Sequence, residues 1–300
     1  MTCDSTSGDF NPSTFEPQRL PSSQRFETMT ANPSQLQNER EFHDRWAKTV
    51  DPASLRVDLH WRDLGSPEAA WIDRQIGDVS GKKVLDLGCG LGEAAVHFAL
   101  RGATVTAADL SPEMLTITKK LAAHHGCELE TVVVTADNLE QFDEESFDVV
   151  YAANLLHHVN IEQTAQQVLR ILKPGGKVAF WDPLKYNPVI NVYRRMARDL
   201  RTSDEHPLSK ADLELFSKLF ADAKFAFFWL SALLIFIRFW IVDRISPNSD
   251  RYWKLVVERQ DKHKGFLRRA HRIDSILLRF LPPLRLLCWN VAIVARKGGS

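Results

Sequence analysis

Three hundred residues are enough for one large α/β domain with elaborations or for two small ones, with a core able to hold a cofactor. Lys plus Arg and Asp plus Glu both total 38, so no whole-protein field draws the chain toward nucleic acid. The four cysteines, Cys3, Cys89, Cys127 and Cys288, are far apart and form no C-x-x-C pair. That spacing argues against a zinc ribbon, a redox dithiol or a secreted disulfide scaffold and favours a reducing cytosol; no metal-ligand set is read.

The first ten residues, MTCDSTSGDF, carry acids and no apolar stretch, so neither a secretory signal nor an Arg-rich transit peptide is expected. Residues 1–38 hold too little apolar surface to offset chain entropy and read as a disordered tail. Residues 39–80 read as N-terminal cap helices. Phe42, Trp46 and Val50 recur every four residues on one face, either packing on the core or capping a cofactor site. Pro67 to Ile76 follows, with Ala70, Trp71 and Ile76 turned inward.

After Gly81 short apolar runs alternate with helical patterns, as in βαβ units. Strands are expected at 83–87, 103–108, 130–135, 147–153 and 177–182, with helices at 93–100, 112–124 and 161–172. Ser111-Pro112 is a helix start, and Pro174-Gly175-Gly176 is a helix stop. Residues 210–220 form another amphipathic helix. The apolar run Phe225 to Ile237, about 13 residues, is shorter than the roughly 20 of a bilayer-spanning helix. It is read as a sixth strand near 224–229 followed by an apolar helix, and 288–295 as the last strand. The expected fold is thus α/β, a Rossmann-like seven-stranded, mostly parallel sheet with helices on both faces. It occupies residues 81–300, with a helical insertion at 238–285 before the last strand.

The strongest chemical signal is Val84-Leu85-Asp86-Leu87-Gly88-Cys89-Gly90-Leu91-Gly92, a buried strand ending in three closely spaced glycines and opening a helix. Glycines let the chain turn sharply and a ligand approach the backbone. Asp109, about 20 residues on and at the end of the next strand, can accept both hydroxyl hydrogens of a ribose. The two together indicate an adenosine-containing cofactor. The spacing is G-x-G-x-G rather than G-x-G-x-x-G, and Asp86 stands two residues before the first glycine. A carboxylate there would repel a pyrophosphate but suits S-adenosylmethionine (SAM), which has no phosphate and presents an ammonium and a sulfonium.

Here the chain resembles the class I SAM-dependent methyltransferase superfamily. The likeness runs through Ala108 to Leu115, Thr135-Ala136-Asp137-Asn138-Leu139, Phe147 to Val150 and Leu169 with Lys173 to Gly176. It implies that Asp86, Gly88, Cys89, Gly90 and Gly92 hold the methionine part, that Asp109 binds the ribose, and that Leu110 packs on the adenine. It further implies that Asp137 accepts from the adenine amino group, with Asn138 and Leu139 beside the ring, and that Asn154 lies where methyl group and acceptor meet. Methyl transfer is an in-line displacement that needs alignment and exclusion of water, and a base only when the accepting atom must lose a proton. His157 and His158 are the nearest candidate bases; Asp182, Tyr186 and His206 are further candidates, or loop residues bonded to backbone.

Ala153-Asn154-Leu155-Leu156 stands where enzymes that methylate base or amide nitrogens carry (D/N)-P-P-(Y/F), so nucleic-acid and glutamine acceptors are not expected. Between Arg238 and Arg285 there are 12 basic residues against 5 acidic ones, interleaved with Trp240, Tyr252, Trp253, Phe266 and Phe280. This composition fits a helix on an anionic membrane surface, or a lid whose charges are its solvated face. The expected activity is methylation of a small lipophilic acceptor such as a quinone, isoprenoid or lipid, by a cytoplasmic enzyme peripheral on the membrane. The alternatives are a polar natural-product acceptor, a catalytically silent partner-binding module, and an NAD-linked oxidoreductase, which the glycine spacing disfavours.

Overall fold

A two-residue alternation along the strands supplies two cores at once. In the computed structural model, which describes residues 33–197, 205–248 and 251–299, the strands form one sheet. They are β1 (Lys83–Leu87), β2 (Thr104–Asp109), β3 (Glu130–Val133), β4 (Phe147–Ala153), β5 (Leu172–Pro183), β6 (Ala221–Phe228) and β7 (Asn290–Arg296), in the order β3-β2-β1-β4-β5-β7-β6. The first five run parallel, and β7 lies antiparallel between β5 and β6. The helices are α1 (Pro33–Ala47), α2 (Pro67–Ile76), α3 (Glu93–Leu100), α4 (Pro112–His124), α5 (Ile161–Ile171), α6 (Pro188–Met196), α7 (Lys210–Leu219), α8 (Leu234–Ile241), α9 (Tyr252–Glu258) and α10 (Lys264–Phe280).

Val84, Val105, Val149, Tyr151 and Ala179 pack on Trp71, Ile72 and Ile76 of α2 and on Phe98 of α3. Their alternates Leu85, Val150, Ala152, Val178 and Phe180 pack on Val168 and Ile171 of α5 and Phe216 of α7. The mostly parallel α/β sheet covered on both faces is therefore present. Several bounds differ from the sequence pattern. β3 stops at Val133, with Thr135 and Asn138 meeting in an isolated bridge. β5 starts at Leu172, because Leu172 already pairs with Phe147 ahead of the irregular Pro174-Gly175-Gly176 stretch.

Of the tail expected over 1–38, residues 1–32 lie outside the described residues, as does Cys3; from Pro33 the chain is helical. Composition undercounts this segment because Leu36, Glu39, His43 and Trp46 share a helix face that covers the cavity described below, leaving the polar residues between them toward solvent. The stretch between β6 and β7 carries α8, α9 and α10 around a core of its own, in which Trp229, Phe236, Phe239, Tyr252 and Leu267 meet Ile190 and Tyr193 of α6. Asp274 of α10 fastens this unit to the end of β6 by accepting from the backbone N–H groups of Leu230, Ser231 and Ala232, at 3.1, 2.7 and 3.3 Å. No helix among the described residues is long and apolar enough to cross a membrane.

Candidate functional site

The chain leaves β1 toward β2 on one side and reaches β4 on the other, so a crevice opens at the carboxyl ends of these strands. A cavity of about 330 Å³ lies there. Asp86, Gly88, Cys89, Gly90, Asp109, Leu110, Asp137, Asn154, His157 and His158 all line it.

The turn after β1 is held against β2 by the N–H groups of Gly88 and Cys89, which both donate to Ala108 O, at 2.8 and 3.0 Å. Gly90 has φ +53°, and a Cβ there would meet no protein atom within 4 Å; the space it faces belongs to the cavity. Gly92 acts differently. A Cβ on it would stand 2.6–2.8 Å from the Thr118 side chain, so it serves the packing of α3 on α4 and is not a wall of the cavity.

Asp86 is 2% exposed, and its Oδ2 has no hydrogen-bond partner among the described residues. Burial, aided by repulsion from Asp109 and Glu93, pushes its carboxyl up to about 8 against the pull of the Ala95 N–H. Asp109 is better satisfied: Gly90 N donates to Oδ2 and Ser111 N to Oδ1, both at 2.9 Å. These bonds fix the carboxylate's plane while each oxygen keeps a second lone pair for a ligand. Burial still raises its pKa. Asp137 is buried just beyond β3, where Gln163 Nε2 donates to its backbone O at 3.0 Å. The structure separates its two neighbours from the site. Asn138 is exposed and caps a turn, its Oδ1 accepting from Glu140 N at 3.1 Å, and Leu139 is buried in the core under α5.

At the other end Asn154 takes a left-handed conformation, φ +52°, with its N–H donating to Trp181 O at 2.9 Å. His157 Nδ1 lies 2.6 Å from Oδ1 of Asp182, a residue with 0% exposure. Burial raises the Asp182 pKa despite backbone N–H groups directed at it. The His157 tautomer that donates from Nδ1 to Asp182 puts its basic lone pair on Nε2. His158 Nδ1 contacts Glu39 Oε1 at 3.2 Å, and the same oxygen lies 3.0 Å from His43 Nε2, so α1 is tied to this end. His157, His158 and Glu205 offer donor atoms within 4.8 Å of one another, a grouping able to hold a divalent ion. Tyr186 and His206 turn out to be bonded to backbone: Lys210 N donates to the Tyr186 hydroxyl at 3.0 Å, and His206 N to His157 O at 2.7 Å.

The remaining walls are residues that no motif pointed to. Trp181 lies near the end of β5, Tyr193 and Arg194 come from α6, and Arg251, Trp253 and Lys254 come from α9 or its border. Their only signal in the sequence was that they lie at or after the end of β5 or belong to the insertion.

A family model for a methyltransferase domain matches residues 85–180. A ubiquinone biosynthesis O-methyltransferase of Pseudomonas putida (strain W619) is 36% identical over 127 residues, covering 42% of this chain and 54% of that protein. The chain thus spans about half the length of the curated relatives it matches first. Among solved structures, a geranyl diphosphate methyltransferase in complex with GPP and sinefungin gives a TM-score of 0.53 at 14% identity, covering 77% of each chain. Phosphoethanolamine N-methyltransferase 2 of Haemonchus contortus, solved with S-adenosyl-L-methionine, gives 0.53 at 18% identity, covering 86% of this chain and 60% of that one. Identities this low speak for the fold. The sheet order, the glycine turn closing β1 and the match over 85–180 together make this part of the chain a methyltransferase domain of the class I SAM-dependent superfamily.

Proposed function

We propose that this chain is an enzyme that transfers a methyl group from SAM to a small, lipophilic acceptor. The observation that carries the reading is the cavity itself, which joins the glycine turn, Asp86, Asp109 and Asp137 to an aromatic annex. The donor set fits the cofactor. Asp86 Oδ2, buried and lacking a partner, awaits a cation, and the open space over Gly90 admits a ligand against the backbone. In this reading Asp86 and the turn hold the methionine part, Asp109 the ribose hydroxyls, and Leu110 and Asp137 the adenine. Bound SAM supplies an electrophilic methyl group on a sulfonium. The chain's own residues align the acceptor near Asn154, exclude water, and take up a proton at His157, which Asp182 orients, when the accepting atom carries one.

A lipophilic acceptor is supported by the annex, where Phe42, Trp46, Trp181, Trp253 and Trp289 form much of the wall. It is also supported by the ubiquinone O-methyltransferases among the relatives. The outer face of α10 supports access from a membrane. Leu267, Ala270, Asp274 and Leu278 point inward, while Phe266, Ile273 and Phe280, each seven residues apart, form one exposed line with Ile276 beside it. Arg269 is exposed beside that line, and Arg268, Arg272 and Arg279 are exposed on the neighbouring flank of the helix, so that apolar and basic groups of the kind an anionic bilayer surface binds stand on its solvent-facing half.

Titration calorimetry with S-adenosylhomocysteine and with NADH tests the cofactor: the first binds and the second does not. A metabolite comparison of cells with and without the protein then finds a lipid or quinone differing by one methylene. Co-sedimentation with phosphatidylglycerol vesicles at low salt tests the surface. Failure of the wild type to bind would sink the membrane reading and leave α10 as part of a lid, and binding that survives replacement of Ile273 and Phe280 by Glu would take the contact away from α10.

A further inference from the structure

Arg194 lies on α6 and lines the cavity. Its Nη1 donates to Asn191 Oδ1 at 3.2 Å, but Nε and Nη2 are out of reach of solvent and have no hydrogen-bond partner among the described residues. These two atoms form the edge of a guanidinium that grips a carboxylate or phosphate with two parallel hydrogen bonds. A half-buried charge with its donors left in this state destabilises a fold unless something that binds there restores the balance.

Two more cations line the same cavity, Arg251 and Lys254. Arg251 sits 3.9 Å above the Trp46 ring and 5.5 Å from that of Phe42, a placement that holds its charge among aromatic faces. Several carboxylates around the cavity are already engaged: Glu39 with His43 and His158, Glu93 with His60, and Asp109 with backbone amides. Asp86 and Asp137 belong to the end of the cavity formed by β1 and β3. Burial lowers the Arg194 pKa only to about 10, so the group is charged at neutral pH.

We infer that the methyl acceptor carries a fixed negative charge, a carboxylate or a phosphate, and that Arg194 turns its Nε–Nη2 edge into the cavity to bind it. The inference rests on the reading of this cavity as a methyl-transfer site. The acceptor is accordingly amphiphilic: an apolar body among the tryptophans, an anionic group on Arg194, and the nucleophile between them near His157.

The test uses the full chain with 4-fluorobenzoate, neutral 4-fluorobenzamide and inorganic pyrophosphate, each with and without S-adenosylhomocysteine. Binding is read from 19F and 31P line broadening and from shifts in melting temperature. One of the two anions binds the wild type and the benzamide does not; which anion it is separates a carboxylate from a phosphate acceptor. Arg194→Met weakens that anion by at least about tenfold, and Arg194→Lys, which keeps the charge without the fork, falls between. Unliganded Arg194→Met melts at the same temperature as the wild type or higher, whereas an arginine that merely braces the fold would lower it. Equal anion binding by the wild type and Arg194→Met overturns the inference, as does no anion response in a wild type that binds S-adenosylhomocysteine. Anion binding without any affinity for S-adenosylhomocysteine would instead overturn the methyltransferase reading and leave an anion site.

Discussion

Replacing Asp86 by Asn should make the unliganded protein more stable and its cofactor affinity much worse. The wild-type carboxyl is buried, one oxygen lacks a partner, and its pKa is about 8 against an ordinary value near 4. In the unfolded chain the group is ionised at pH 7, so folding must bind a proton there, at a cost on the order of 4 kcal/mol. Because the folded pKa is the higher one, the folded state holds the extra proton between about pH 4 and 8. Stability therefore falls as pH rises through that window, by at most about 1.4 kcal/mol per pH unit from this group, and levels off above it. Asn removes this dependence but must find an acceptor for its amide, so the net gain at pH 8 is about 2 kcal/mol. A cationic ligand reverses the balance by holding the carboxylate ionised. SAM binding to the wild type should release close to one proton at pH 7 and tighten toward pH 8, while Asp86→Asn binds about 2–4 kcal/mol more weakly, thirtyfold to nearly thousandfold. Urea denaturation at pH 6, 7 and 8, with calorimetry in buffers of different ionisation enthalpy, measures both effects. An Asn variant with the wild-type pH slope and undiminished SAM affinity would refute the reasoning.

The last two glycines of the turn separate fold from function. Gly92→Ala drives a Cβ into Thr118 and should cost about 2–3 kcal/mol in chemical denaturation whether or not ligand is present. Gly90→Ala meets only open space, so it should lose about 1 kcal/mol to its left-handed backbone yet bind S-adenosylhomocysteine at least tenfold more weakly by calorimetry. His157→Gln, assayed in extracts that supply the acceptor, should lower turnover about a hundredfold while S-adenosylhomocysteine affinity stays within twofold of the wild type. Glu68, buried under Trp229 and Asn290 whose side-chain N–H groups donate to it, should cost about 3 kcal/mol when changed to Ala, read as a lower melting temperature with no change in cofactor affinity.

The cofactor half of the cavity was legible because it is built from consecutive chain segments. Asp86 and Asp109 stand at the ends of β1 and β2, and Asp137 four residues beyond β3, three strands that also neighbour one another in the sheet, so a pattern of apolar run followed by an acid finds them in order. Asn138 and Leu139 were carried along by adjacency, yet a tight turn sends one to solvent and the other into the core. The acceptor half could not be read this way. Glu39 meets His158, and Arg251 meets Trp46, across more than a hundred residues of chain, and these contacts exist only once α1 and the insertion fold over the strand ends. Asp182 stood out only as an acid following a strand; what makes it matter is the 2.6 Å contact with His157, which β4 and β5 create by pairing.

The two halves also differ in which elements supply their charged groups. Carboxylates at or just beyond the ends of β1, β2 and β3 line the cavity from the sheet, whereas Arg194 reaches it from α6, and Arg251 and Lys254 from the start of α9, Lys254 near enough to Glu93 to lower its pKa. A ligand that is positive toward the sheet and negative toward the helices is held in one orientation, since turning it end for end places like charges together. In the proposed reading the sheet cannot change its acids without weakening SAM binding, whereas the cations stand on α6 and on an insertion whose helices α8, α9 and α10 pack with α6 around a core of their own. That reading assigns acceptor specificity to the insertion and α6. Exchanging Arg251 and Lys254 for neutral residues should alter which acceptors bind while leaving S-adenosylhomocysteine affinity within about twofold, and an equal loss for both ligands would contradict this division.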